Sequence, residues 1–144
     1  MFLIIDIGNT LQKAIIYNND GCIETVLRQT AISHKDWQQL FDKYPVEHAI
    51  LSNVGKTAPD IEHYVRQHCP LLKLDATTPL PIAIKYGTRE TLGTDRIANA
   101  VGANSLFRNQ PVLSIQAGSS IVYDFVNEKN EYLGGAIAPG IEMR

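Results

Sequence analysis

The chain reads as an α/β protein: a mixed sheet that opens with an antiparallel meander and continues with flanking helices. Three observations predict this. Apolar strand-like runs at residues 2–5 and 11–17 are separated by turn-forming residues, and a third run follows the hairpin signal Asn18-Asn19-Asp20-Gly21. From Ser33 the apolar spacing changes to i, i+3, i+4, i+7, the period of a helix with one buried face. Beyond it, helical and strand-like stretches alternate. At 144 residues the chain is long enough for a real core, burying roughly 70% of its unfolded surface, so no disulfide or metal staple is required.

Phe2-Leu3-Ile4-Ile5 is a continuous apolar run, as expected of a strand covered on both faces. Asp6-Ile7-Gly8-Asn9-Thr10 interrupts it, and Leu11 to Tyr17 resumes it with Ala14, Ile15 and Ile16. Asn, Asp and Gly at 18–21 tolerate positive φ, and Cys22 to Arg28 supplies the third strand. Ser33 is placed to N-cap a helix, with Asp36 as capping-box partner. Trp37, Leu40, Phe41 and Tyr44 form its stripe, and Pro45 ends it. His48 to Val54 reads as a buried strand closed by Gly55. Pro59 to His68 reads as a helix facing inward through Ile61, Tyr64 and Val65, stopped by Pro70 and followed by a short strand from Leu71 to Leu74. Residues 75–88, with Pro79, Pro81 and Gly87, form a loop or extended edge.

Helix returns from about Glu90, with Ile97, Ala98, Val101, Ala103 and Leu106 along one long face. Pro111 to Ile115 is a strand, Gln116 to Ser120 its turn, and Ile121 to Val126 the next strand. Asn127 to Asn130 then turns into a last strand at Tyr132. Strand, small-residue turn, strand thus occurs at residues 2–17 and again at 112–126.

Charge excludes some classes. Thirteen Lys+Arg against fifteen Asp+Glu give a net charge of −2, which argues against a generally basic nucleic-acid binder. No apolar run approaches the roughly 18 residues needed to cross a bilayer. The opening MFLIIDIGNT lacks a basic n-region and carries an early acid, so no signal peptide is expected. Cys22 and Cys69 have no metal-ligand spacing and are expected to be reduced, buried thiols. His34, His48, His63 and His68 form no ligand pair and are expected at the surface, while Trp37 reads as a packing anchor.

Four segments could carry chemistry. In Asp6-Ile7-Gly8-Asn9-Thr10, a turn glycine lets backbone N–H groups approach an anion, Asn9 and Thr10 add donors, Lys13 adds a cation, and Asp6 could hold a metal ion or a water. An ordinary hairpin explains the same residues. Gly93-Thr94-Asp95-Arg96 opens a helix, where Asp95 is electrostatically favoured as a cap residue. The pair can also divide labour, the carboxylate taking a proton from a hydroxyl and the guanidinium gripping an anion. Gln116-Ala117-Gly118-Ser119-Ser120 is a second small-residue turn that could face a phosphate. Gly134-Gly135-Ala136-Ile137-Ala138-Pro139-Gly140 is too glycine-rich for a strand interior and suggests close backbone approach to a ligand.

In this order, the segments resemble the type III pantothenate kinase family. Asp6-Ile7-Gly8-Asn9-Thr10 resembles its N-terminal phosphate motif, Tyr86 with Leu92-Gly93-Thr94-Asp95-Arg96 its pantothenate and catalytic segment, and Gly134-Gly135-x-Ile137-x-Pro139-Gly140 its later glycine motif. The resemblance implies a ribonuclease H-like fold of the actin-like ATPase and sugar-kinase superfamily, with two halves flanking a nucleotide cleft. Residues 1–111 would form the first half and 112–144 the beginning of a second. It implies that Asp6, Ile7, Gly8, Asn9, Thr10, Leu11, Gln12, Lys13 and Ser119 bind ATP, with Asp6 holding magnesium directly or through water. Tyr86, Gly93, Thr94, Asp95 and Arg96 would bind pantothenate, with Asp95 as general base. A monovalent cation (potassium or ammonium), a cytoplasmic location and a homodimer are implied as well, with no nucleic-acid or membrane partner.

Two departures stand out. The family usually has Asp-x-Gly-Thr where this chain has Gln116-Ala117-Gly118-Ser119. Its acid is expected to bind the monovalent cation, and neutral Gln116 offers one carbonyl dipole instead. Family members also continue well past the Pro139-Gly140 motif, so the chain is expected to be an incomplete N-terminal portion whose exposed apolar surface favours association. The rival expectation is a non-catalytic relative that binds a ligand and regulates a partner. A ribonuclease H-like nuclease would need several converging carboxylates, and Asp6, Asp95 and Asp124 are too few.

Overall fold

Alternating burial organises the first sheet. In the computed structural model, which describes residues 1–55 and 59–140, strand β1 (Phe2–Ile7) buries Leu3, Ile5 and Ile7. Antiparallel β2 (Gln12–Tyr17) sets Ala14 and Ile16 opposite Ile5 and Leu3, and β3 (Ile23–Gln29) completes the meander. The Asn18 side chain builds the second hairpin by accepting from the Asp20 and Cys22 amides at 3.0 and 2.9 Å, while Gly21 takes a φ of 78°. Helix α1 (His34–Lys43) opens with the full capping box. The Asp36 amide donates to Ser33 Oγ at 3.2 Å and the Ser33 amide to Asp36 Oδ2 at 3.0 Å.

Parallel strands need a crossover, and the next two elements supply them. β4 (His48–Asn53) follows α1 and pairs parallel with β1; β5 (Leu71–Lys73) follows α2 (Pro59–His68) and pairs parallel with β4. The sheet order is β3-β2-β1-β4-β5. Trp37, Leu40 and Val65 from the helices close over Leu3, Ile5, Ala14, Ile16, Ala49 and Leu51 in one apolar cluster. These elements form one compact unit, Met1–Leu74.

The second unit, Asp75–Arg144, holds β6 (Ala83–Ile84), a 3-10 turn (Arg89–Thr91), α3 (Thr94–Leu106), β7 (Val112–Ala117), β8 (Ser120–Val126) and β9 (Glu131–Pro139). β7, β8 and β9 form another antiparallel meander, and β6 joins β9 in parallel, giving the order β6-β9-β8-β7. α3 packs on β7 and β8, where Asn99 Nδ2 donates to Ser114 Oγ at 2.8 Å. Among the described residues, no helix is long and apolar enough to cross a membrane.

Several expectations change. β1 is fully buried on one face only, with Ile4 half-buried and Phe2 exposed on the other. Asp6 and Ile7 belong to β1 rather than to the turn. Gln116 and Ala117 are likewise strand residues paired with Val122 and Ile121, which shortens that turn to Gly118 and Ser119. The buried face of α3 is Arg96, Ile97, Ala100 and Asn104; Ala98 is exposed and Leu106, about 180° around the helix from Ile97, is 79% exposed. Cys69 is buried, but Cys22 sits exposed beside the hairpin. The glycine motif does lie in a strand interior, because β9 needs it there. A Cβ on Gly135 would overlap the Tyr123 backbone of β8, so the close approach is to a neighbouring strand.

Candidate active site

In the first unit, the turn between β1 and β2 is built by backbone geometry. The Gly8 amide donates to the Leu11 carbonyl at 2.9 Å, and the amides of Val54 and Gly55 both donate to the Ile7 carbonyl, at 2.9 and 3.1 Å. A Cβ on Gly55 would strike the Gly8 carbonyl, so the turn rests directly on the chain that follows β4. Asp6 and Lys13 face each other across the hairpin, with Nζ 2.8 Å from Oδ2, both side chains partly exposed. Gln12 ties the hairpin to the segment before α1, its Oε1 accepting the Ile32 amide at 2.8 Å. Asn9 and Thr10 are exposed.

In the second unit, Gly93 caps α3, its carbonyl accepting the amides of Arg96 and Ile97 at 3.1 and 3.2 Å. Thr94 and Asp95 are therefore in the first turn, and the Asp95 carboxylate accepts the Arg96 amide at 2.9 Å. Arg96 points into the unit and is 8% exposed. Its Nε donates to Asp124 Oδ1 at 2.9 Å, its Nη2 lies 2.8 Å from the same oxygen, and the Tyr132 hydroxyl donates to that oxygen at 2.7 Å. Burial works against the Arg96 charge, but the hydrogen bond and charge of Asp124 outweigh it and hold the guanidinium above its ordinary value. Burial, then the bond to Asp124, pushes the Tyr132 phenol well above its usual range.

Tyr86 completes this cluster. The Lys85 amide donates to the Tyr132 carbonyl at 2.9 Å, which sets Tyr86 beside β9. Its ring centroid lies 5.9 Å from the Arg96 guanidinium, within cation–π range, and 6.2 Å from the Tyr132 ring. Gly134 makes room for it. At a φ of 107°, a Cβ there would come within 3.1 Å of the Tyr86 ring. The structure thus brings together Tyr86, Gly93, Thr94, Asp95 and Arg96 in one unit, and Asp6 through Lys13 in the other. Gln116 is half-buried on β7 opposite Val122, and Ser119 is exposed in the β7–β8 turn.

Gly55, Asp124, Tyr132 and the fit of Gly134 to Tyr86 are not apparent from motifs. Asp124 carries a signal: in Val122-x-Asp124-x-Val126 the acid falls on the buried phase of the strand, where a carboxylate needs a partner. Among the described residues, no three His, Cys, Asp or Glu side chains converge to hold a metal. Magnesium commonly binds through one or two carboxylates together with substrate phosphates, and the partly exposed Asp6 fits that mode.

The molecule is, first, a mixed α/β protein with a glycine turn in one unit and an acid–arginine helix start in the other. Comparison with known proteins makes it more particular. The family described as type III pantothenate kinase matches over residues 2–144. A type III pantothenate kinase of Christiangramia forsetii is 38% identical over 145 residues, covering 100% of this chain and 60% of the relative. One from Bacteroides fragilis is 38% identical over 149 residues, covering 100% of this chain and 59% of the relative. One from Porphyromonas gingivalis is 38% identical over 148 residues, covering 99% and 58%. The chain belongs to the type III pantothenate kinase family, and it spans about 60% of the length of the curated relatives it matches.

Proposed function

We propose that the chain is the N-terminal portion of an ATP-dependent pantothenate kinase, an enzyme of coenzyme A synthesis that transfers the γ-phosphoryl group of ATP to pantothenate. The observation that carries this reading is Gly93-Thr94-Asp95-Arg96 opening α3, its carboxylate in the first helical turn and its guanidinium fixed by Asp124, in a chain that matches the family from residue 2 to 144.

Asp95 is the general base. Its carboxylate takes the proton of the pantothenate 4'-hydroxyl as that oxygen bonds to the γ-phosphorus, the bond to the β,γ-bridging oxygen breaks, and ADP leaves with the electron pair. Arg96 and Tyr86, with Gly93 and Thr94, hold the pantothenate so that this oxygen is presented for attack. Asp6 through Lys13, with Ser119, bind the ATP phosphates. Lys13 and Asp6 pair with each other at 2.8 Å; on opening of that pair, Lys13 would supply positive charge to the phosphates and Asp6 would hold the magnesium ion, whose chemistry there would be charge neutralisation. The monovalent-cation position falls on Gln116, whose neutral amide weakens it. The sheet order β3-β2-β1-β4-β5 supports a ribonuclease H-like first half, and the β7-β8-β9 meander, which begins at residue 112 within the compact unit Asp75–Arg144, supports a second. A cytoplasmic homodimer is part of the same reading.

A second reading, a non-catalytic family relative that binds pantothenate or nucleotide, is favoured by Gln116 alone. A coupled kinase assay separates them in a full-length enzyme carrying this sequence. The kinase reading expects turnover, and Asp95→Asn is expected to lower kcat by about 10²–10⁴-fold. Equal turnover of wild type and Asp95→Asn refutes the base assignment. Binding of both ligands without turnover favours the second reading.

A further inference from the structure

Arg96 stands on a buried support. Asp124 is fully buried, and its Oδ1 sits against both Nε and Nη2 of Arg96 while accepting the Tyr132 hydroxyl. Stability does not explain this arrangement. Replacing a buried ion pair by apolar residues of similar volume is often neutral or stabilising. The other unit shows that a β-meander covered by helices needs no such pair, since its second strand places Ala14 and Ile16 on the buried face. The pair also leaves Asp124 Oδ2 buried without a hydrogen-bond partner among the described residues, and Arg96 Nη2 buried in ionic contact but out of hydrogen-bond alignment, an energetic cost.

We propose that Asp124, braced by Tyr132, is a positioning residue. It fixes the plane of the Arg96 guanidinium beside Tyr86, so that the remaining donors recognise the carboxylate of the phosphoryl acceptor. The inference rests on the acceptor assignment made above for Arg96. A long arginine side chain has many rotamers, and holding one of them in advance lowers the entropy lost on binding. With the Nε and Nη2 edge taken by Asp124 and Nη2 buried, Nη1 is the nitrogen left to donate to a carboxylate, and a directed charge-assisted hydrogen bond rewards fixed orientation more than charge alone. Tyr132 contributes by occupying Oδ1, and its ring flanks Tyr86, so carboxylate, guanidinium and both phenols form one contiguous cluster.

Steady-state kinetics of a full-length enzyme carrying this sequence test the inference. Two acceptors are used: pantothenate, and its analogue with a primary amide in place of the carboxylate. Asp124→Asn keeps the shape of the side chain and removes its charge. Its KM for pantothenate is expected to rise by roughly 10-fold or more, with kcat and the KM for ATP changed by less than about 3-fold. With the amide analogue, wild type and Asp124→Asn are expected to match. In the ¹⁵N-labelled protein, the Arg96 Nε–H resonance should exchange slowly with water in wild type and rapidly in Asp124→Asn.

If Asp124→Asn behaves as wild type while Arg96→Ala loses discrimination between the two acceptors, the positioning role is wrong and the Arg96 assignment stands. If Arg96→Ala leaves discrimination intact, the acceptor assignment itself falls and the inference falls with it. Equal losses for both acceptors and ATP mean that Asp124 is merely structural and overturn the proposal. Should Asp124→Asn fail to fold, Tyr132→Phe decides by the same readouts, with a smaller selective rise in KM expected and a uniform effect refuting the role.

Discussion

The two units share a supersecondary plan and differ in what they bury. β1-β2-β3 and β7-β8-β9 are both antiparallel meanders with a glycine in the first turn and helical cover. In the first, the buried positions of the second strand are Ala14 and Ile16; in the second they are Val122, Asp124 and Val126. The buried positions of one meander are apolar, its Asp6–Lys13 pair lying partly exposed, whereas the other carries an ion pair and a phenol in its interior. Because the fold tolerates the apolar solution, the charged one points to recognition rather than to architecture.

The comparison can be broken most forcefully at Asp124. Asp124→Ala leaves Arg96 buried without its partner and is expected to cost about 3–5 kcal/mol, read from urea unfolding. The double variant Arg96→Met with Asp124→Leu gives the second unit an apolar interior like that of the first. It is expected to be as stable as wild type, or more stable by about 1–4 kcal/mol, while losing pantothenate recognition. A double variant as unstable as Asp124→Ala would show that the pair is architectural.

Gly135 tests the strand contact. Gly135→Ala sets a methyl group against the Tyr123 backbone and is expected to destabilise by about 3 kcal/mol or more, since backbone cannot step aside as a side-chain end does. Alkaline titration gives a smaller effect. The Tyr132 phenol is held above its ordinary value near 10, so above that pH the unfolded chain releases a proton that the folded chain keeps. Stability contributed by this group is complete below about pH 10 and falls as pH rises, by up to about 1.4 kcal/mol per pH unit. Urea unfolding at successive pH values should show that component disappear in Tyr132→Phe. Smallest, and of opposite sign, is Gly102→Ala. Gly102 lies within α3 with nothing within 4 Å of its missing Cβ, so the change is expected to raise stability by about 1 kcal/mol.

Much of the fold is legible because it is encoded locally. Asn18 to Gly21 specify a turn through side-chain hydrogen bonds of their own, and Ser33 with Asp36 specify a helix start three residues apart. The apolar run Phe2-Leu3-Ile4-Ile5 marks a strand, although its burial on one face through Leu3, Ile5 and Ile7 appears only once the sheet is assembled. The buried face of α3 differs from the one its apolar residues suggest, because Ala98 and Leu106 point away while Arg96 and Asn104 are polar yet buried. Their burial depends on partners in other elements. Asp124 is 28 residues from Arg96, and their pairing is set by packing of a helix on a sheet, which no local pattern records. Gly135 is visible as a constraint, but only the register of β8 and β9 reveals that the approaching group is Tyr123. The proposed acceptor segment is legible as a motif; the buried pairing beneath it is not.

The central claim is that the second unit holds the acceptor site through Arg96. Its most direct test is a nitrogen–proton NMR titration of a labelled full-length enzyme carrying this sequence with pantothenate, and separately with ATP and magnesium. Pantothenate is expected to shift the amides of Tyr86 and Gly93 through Arg96 together with the Arg96 Nε–H, leaving Gly8 through Lys13 to respond to ATP. Pantothenate shifts confined to the first unit, or none at either segment, would contradict the account.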